Sequence, residues 1–460
     1  MMEYTLDFER IKDFVTDKND KYSFERRKYV RVLPLPSRTT GDRAEYKEGF
    51  STVTAALLRL IGGEALVFSQ QSSFYEEILE AGEFDTDETK EVFKEFLQAE
   101  LGEVDRDHVN TIQNIKYIEQ PSSKAEVKGQ TQIIEFFYDI YIRDQHEEIE
   151  QIINQLQSKG LMQEILSGHV EKSSLKLKQK YRVLFTSYQK LFKEDLRALA
   201  KNPGFFIGNI DEFFSHYTFI ALTQIILQTN KFSRFESNNL QSLPFMMNNE
   251  QASTWRISYK EGYKRLEEQV ESFYAHEHLL NILALNTFTD DENLYYHDYK
   301  AVLEQAGEDA KRCYIESLYK WVNTVYCSYK NLEPQVQYEG QDLDAAYKYM
   351  YEMICKGLSK EHFSRFPQGY TVFMKRFYRK NGGQLGTILS LNLKQLLLFV
   401  AVSVGDNLRI ELNELWRQLE LRGIAFDDNS KMTVVAMLDK LNYIDKKSDS
   451  GDAQYVKSIL

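Results

Sequence analysis

The last seventy residues, from Leu391 to Leu460, leave the chain the fewest ways to fold. The run Leu393, Leu396, Leu397, Leu398, Phe399, Val400, Ala401, Val402 and Val404 is apolar almost all the way round, which suits a helix buried on more than one side. At about half of the roughly 20 residues that a bilayer crossing needs, it is too short to span a membrane. After Gly405 and Asp406, Leu408-Arg409-Ile410-Glu411 alternates like a single strand. Asn413 is placed to cap a second helix with the stripe Leu412, Leu415, Trp416 and Leu419, stopped by Gly423. A third helix is expected from near Ser430, with Val434, Val435, Leu438 and Leu441 facing inward. Two strand-like runs follow, Tyr443 to Lys447 and Ala453 to Lys457, joined by a turn in which Gly451 is free to take positive φ.

Helix, strand, helix, helix, hairpin is the order of a winged helix-turn-helix, whose third helix most often enters a DNA major groove. Thr433, Ala436, Met437 and Lys440 fall on the side of that helix away from the apolar stripe. The charge is less accommodating. From Gly405 to Leu460 eight Lys or Arg face ten Asp or Glu, whereas duplex-binding modules present a positive face. A winged helix that docks protein has an equal claim on these charges.

The whole chain is acidic too, with a formal charge of −12 over 460 residues. Nucleic acid can therefore be met only through a local basic patch or through partners. One such patch exists: Lys21, Arg26, Arg27, Lys28, Arg31, Arg38 and Arg43 stand against only Glu25 and Asp42, with Tyr22, Phe24 and Tyr29 interleaved. That mixture can clamp a phosphate backbone and stack on bases. It can equally grip an acidic surface of its own protein or of a partner, and this second use is favoured. Pro34 and Pro36 would hold the following residues extended, as an arm requires.

Between these ends the pattern is helical. Phe50 to Ile61 forms one stripe, Phe74 to Leu79 another, and Thr86 or Asp87 caps a third containing Val92, Phe93, Phe96 and Leu97. From Thr131 to Arg379 long helices run with few breakers, apart from a polar break from Asn238 to Asn249 containing Pro244. Sixteen of the 29 tyrosines lie between Trp255 and Lys380, suited to helix contacts near a surface or to interfaces. The expected fold is mainly α: a multi-helix scaffold with a C-terminal winged helix-turn-helix domain. Its expected domains are 1–125 (basic arm and small helical domain), 126–380 (helical scaffold) and 386–460 (winged helix), with Asn381-Gly382-Gly383 as a flexible joint that lets the terminal module swing.

The search for catalytic patterns returns little. Gly62-Gly63 is no phosphate cradle, because Gly-x-x-x-x-Gly-Lys-Ser/Thr is absent; Gly-x-Ser-x-Gly, zinc-deaminase and His-Asn-His patterns are absent too. His276 and His278 diverge by about 200° on a helix and cannot share a metal; His216, beside Phe213, Phe214 and Tyr217, reads as a packed core histidine. Cys313, Cys327 and Cys355 are too few and too scattered for a zinc set and read as small buried hydrophobes. The expectation is a cytoplasmic protein, not an enzyme, with no cofactor, metal, small-molecule substrate or membrane contact.

Arg422-Gly423-Ile424 with Phe426-Asp427, then Leu438-Asp439-Lys440-Leu441-Asn442 and Lys447-Ser448-Asp449-Ser450-Gly451-Asp452-Ala453-Gln454-Tyr455-Val456, resembles the C-terminal end of the G component of the DNA phosphorothioation-dependent restriction system. Chain length fits that family, and the resemblance covers about the last 70 residues. It implies a scaffold in a defence complex that spares DNA carrying sulfur on its phosphates and attacks DNA lacking it. Its partners would be ATP-hydrolysing and helicase-like F and H components, with double-stranded DNA reached through the complex. The candidate phosphate contacts are Arg26, Arg27, Lys28 and Arg31 near the start and Thr433, Lys440, Lys446, Lys447 and Lys457 near the end.

Overall fold

The computed structural model describes residues 3–36, 43–66, 78–80, 82–101, 112–116, 118, 120–156, 170–172, 177–336, 342–381, 383–446 and 454–460. Helices dominate it, as the spacing of apolar residues requires. Among the described residues no helix is long and apolar enough to cross a membrane. The chain forms two compact units: 1–39, 221–241 and 260–372 make the first, and 40–220, 242–259 and 373–460 the second. The division expected at 125 and 380 follows chain order; the units instead collect segments far apart in sequence.

In the first unit, helix Phe273–Leu283 is buried at every one of its 11 positions. Four polar side chains survive there because each finds a partner. Glu277 takes Arg26, His276 sits between the Tyr296 hydroxyl and Asn230, and the His278 Nε2 lies 2.5 Å from the Tyr22 hydroxyl. Asn281 accepts from the Tyr29 and Val30 amides and donates to the Val30 carbonyl. The two histidines thus face different neighbours, as their spacing predicts. The crowded tyrosines are core, contrary to the surface role expected: Tyr295, Tyr296, Tyr299, Tyr314, Tyr326, Tyr347 and Tyr370 are each under 2 % exposed. Rings of that size fill wide gaps between helices, and some hydroxyls reach partners, as Tyr326 does by donating to the Ile354 carbonyl. Gly357 leaves room for that hydroxyl, since a Cβ there would lie 2.3 Å from it. Of the cysteines, Cys327 is buried, Cys355 half-buried and Cys313 exposed, so the expectation of three buried thiols holds only at Cys327.

In the second unit, helices Ser51–Ile61, Lys124–Phe137, His146–Gln155 and Thr186–Ala200 pack with residues 203–220 of helix Pro203–Thr229. An aromatic cluster of Phe137, Tyr141, Phe192, Phe213, Phe214 and Tyr217 fills their core. Strands β1 (Glu64–Leu66) and β2 (Val170–Lys172) pair antiparallel. The supposed polar break contains β3 (Leu243–Met247), buried at all five residues. It stands in a four-stranded sheet of order β4 (Arg379–Asn381), β5 (Thr387–Leu391), β3, β7 (Ile424–Phe426), parallel to both of its neighbours. Asn381, expected in a flexible joint, ends a strand paired antiparallel to β5.

Helix Leu393–Val404 opens the C-terminal segment with a reciprocal cap between Asn392 and Gln395. β6 (Arg409–Glu411), helix Leu412–Leu421, β7 and helix Asp428–Lys440 follow, then β8 (Ile444–Lys446) and β9 (Gln454–Lys457). β9 pairs antiparallel with β8 on one side and with β6 on the other. The second helix starts at Leu412 with Glu411 as N-cap, not at a cap formed by Asn413. Val434 and Leu438 are buried as expected, whereas Val435 is half-buried and Leu441 exposed. The turn carrying Gly451 lies outside the described residues.

Candidate nucleic-acid interface

The third helix of the C-terminal segment is fixed by its first turn. The Asp427 carboxylate accepts the Ser430 amide at 2.9 Å, an N-cap that the Asp-x-x-Ser spacing permits. The same carboxylate receives Arg256 Nε at 2.8 Å; Arg256 also reaches Glu250 and the Ser430 hydroxyl, at 2.6 Å for the latter. Arg256 is only 9 % exposed and Glu250 6 %. Burial opposes ionisation of Asp427, but hydrogen bonds from Arg256 and Ser430 outweigh it and hold the carboxyl below its usual range. Two carboxylates and one guanidinium thus occupy the positive end of this helix, where a phosphate would otherwise be attracted.

A second buried ion pair ties the end of helix Leu412–Leu421 to helix Thr186–Ala200. Arg422 donates to both Asp195 oxygens, from Nε at 2.8 Å, and to the Val402 carbonyl, while the Tyr217 hydroxyl donates to Asp195 at 2.6 Å. His216 lies between the Tyr378 hydroxyl and the Arg422 carbonyl. Burial pushes this imidazole down to about 4, so it is neutral at pH 7, with Nε2 the donor to that carbonyl. With Arg422 and β7 fastened in this way, a terminal module that swings about residues 381–383 would have to break a buried ion pair and a strand ladder together.

Of the candidate phosphate contacts near the end of the chain, Lys440 is exposed on the third helix, and Lys457 is exposed with Nζ 3.2 Å from the Asn442 carbonyl. These two lysines share one end of the segment. Thr433 is half-buried and donates to the Asn429 carbonyl. Lys446 ends β8, and Lys447 lies outside the described residues. Other bases here are already paired: Arg409 with Asp445 and Arg417 with Glu414.

The candidates Arg26, Arg27, Lys28 and Arg31 belong to the other unit, and Arg26 and Arg27 fold back onto the protein; Arg38 lies outside the described residues. Arg26 is held by Glu277 and lies over the Phe366 ring, 10 % exposed. Arg27, at φ +66°, turns back on the Leu33 and Leu35 carbonyls. Arg26, nearly buried against Glu277, is therefore not offered to a phosphate, and Arg27 turns one of its guanidinium nitrogens to its own backbone. Phe24 stacks on His278 at 4.0 Å and Tyr22 bonds to it, so neither ring is offered to a base. Lys28 is exposed, with its Nζ above Phe14 and Tyr29, and Arg31 is half-buried. The favoured alternative, a basic segment gripping its own protein, describes Arg26.

Arg256 escaped sequence reasoning: its acceptors Asp427 and Ser430 are 171 and 174 residues away, and a lone Arg after Trp255 carries no local signal. Compared with protein-family models and with curated proteins, the chain matches none.

Proposed function

We propose that this protein is a non-enzymatic scaffold subunit of a DNA phosphorothioation-dependent restriction complex, acting with ATP-hydrolysing and helicase-like F and H components against DNA that lacks the modification. On this reading residues 386–460 are a winged helix and the helical remainder is its platform. The observation that carries the proposal is the β6–β9–β8 sheet closing over helices Leu412–Leu421 and Asp428–Lys440, in the same residues that resemble the G component. Duplex DNA would be reached through the complex, with Lys440 and Lys457 adding phosphate contacts from this chain.

A second reading, a winged helix that docks a partner subunit and never touches DNA, draws support from one specific observation. The Asp427–Arg256–Glu250 cluster puts net negative charge at the start of the third helix, where a groove-binding helix meets phosphate. Gel-shift titration of the purified chain across salt separates the two. DNA contact by this chain predicts weak binding that falls steeply with salt, with a slope reduced by about 2 when Lys440 and Lys457 are both changed to Glu. Binding that is undetectable, or that the double change leaves untouched, assigns the module to docking.

A further inference from the structure

A cavity of about 330 Å3 opens in the second unit where three helices begin or pass: Ser51–Ile61, Pro203–Thr229 and Leu393–Val404. Its volume falls in the range of small-molecule sites. We propose that it binds a small zwitterion with an apolar body, of the class of free apolar α-amino acids.

The donor end of that ligand is set by Glu212. One carboxylate oxygen accepts from Lys394 Nζ at 2.7 Å, while Oε2 is buried and receives no hydrogen bond from the protein. Buried carboxylate oxygens are seldom left so, and an ammonium group supplies the missing donor. The acceptor end is set by Arg376, an exposed guanidinium with one nitrogen placed on the Lys47 carbonyl. Helix Ser51–Ile61 starts at the same wall, and its N-cap Phe50 provides no side-chain acceptor, so its first N–H groups favour a carboxylate on that side. Phe50, Ile207 and Ile210 supply the apolar lining. Two acids, Asp211 and Glu212, oppose two bases, Arg376 and Lys394, around one space. A singly charged ligand would therefore meet as much repulsion as attraction, whereas a dipolar one can set each of its charges against the opposite charge.

The inference is independent of the restriction role and is tested on the full chain by isothermal titration with L-leucine, 4-methylpentanoate and isoamylamine. Saturable binding of leucine is expected at millimolar affinity, with each half-charged analogue weaker by about tenfold or more. Glu212→Gln and, separately, Arg376→Met are each expected to weaken leucine binding by about tenfold or more; Arg376 is exposed, so its variant keeps the fold even if the other does not. The proposal is overturned by no saturable heat up to about 20 mM leucine, a ceiling well above the expected affinity. Analogues that bind as well as leucine overturn it too, as does a folded variant that binds like wild type. So does a crystal structure with only a water on Glu212 Oε2 and no leucine in the cavity.

Discussion

At the residue scale, the side chains that matter most for stability are charged or titratable groups placed where water is excluded. Removing one partner of a buried pair leaves the other uncompensated. Arg256→Ala strands Glu250 and Asp427, and equilibrium urea unfolding should show a loss of about 3 kcal/mol. An unchanged midpoint would mean that the pair is solvated in solution. The histidines make stability depend on pH. Burial depresses His216 to about 4 and His276 and His278 to about 3. In the unfolded chain they titrate near the ordinary 6.5, so below that pH the unfolded state binds the more protons. Their stabilisation is complete above pH 6.5 and disappears as pH falls towards 4 and then 3. For His216 this amounts to roughly 3 kcal/mol. Urea midpoints measured from pH 7.5 to 4.5 should fall steadily, and His216→Gln, neutral throughout, should flatten part of that fall at the cost of a lower starting value.

At the scale of elements, the short strand β7 decides how the C-terminal segment is seated. It follows Gly423, whose φ of +78° turns the chain out of helix Leu412–Leu421, and the Gly423 carbonyl accepts the Leu243 amide where β3 begins. A Cβ on Gly423 would lie 1.9 Å from Ile220 Cδ1. Gly423→Ala therefore combines left-handed strain with a clash, and should cost about 2 kcal/mol or more in thermal or urea unfolding. The helical elements around it were largely legible in sequence. The stripe through Leu415 and Leu419 and the pair Val434 and Leu438 repeat at helical spacing whatever they pack against. β3 was not legible. Five residues containing Pro244, set among Asn and Gln, read as a loop until two partner strands satisfy the backbone that the sequence leaves open. The partner gripped by the early basic segment was hidden for a related reason, because Glu277, which holds Arg26, is 251 positions away.

Over the whole molecule, each unit is assembled from distant stretches of chain, so neither end is an appendage. Residues 393–460 supply β7 to the four-stranded sheet and Arg422 to Asp195. A chain ending at Asn392 should lose cooperative unfolding in the second unit, because β3 then lacks a neighbour and Asp195 is buried without its cation. Circular dichroism melting would show this as a broadened transition; a sharp, unshifted melt would instead support a self-contained terminal module on a flexible joint. What the sequence alone determined is the mainly helical character of the chain, the strand and hairpin of the last seventy residues, and the acidic balance, because periodicity and charge are local properties of neighbouring residues; the helix expected from Phe74 to Leu79 falls mostly outside the described residues. Tertiary structure alone decided which charges remain free, which tyrosines are core and where β3 lies, because burial and pairing depend on partners that the chain brings together from hundreds of residues apart.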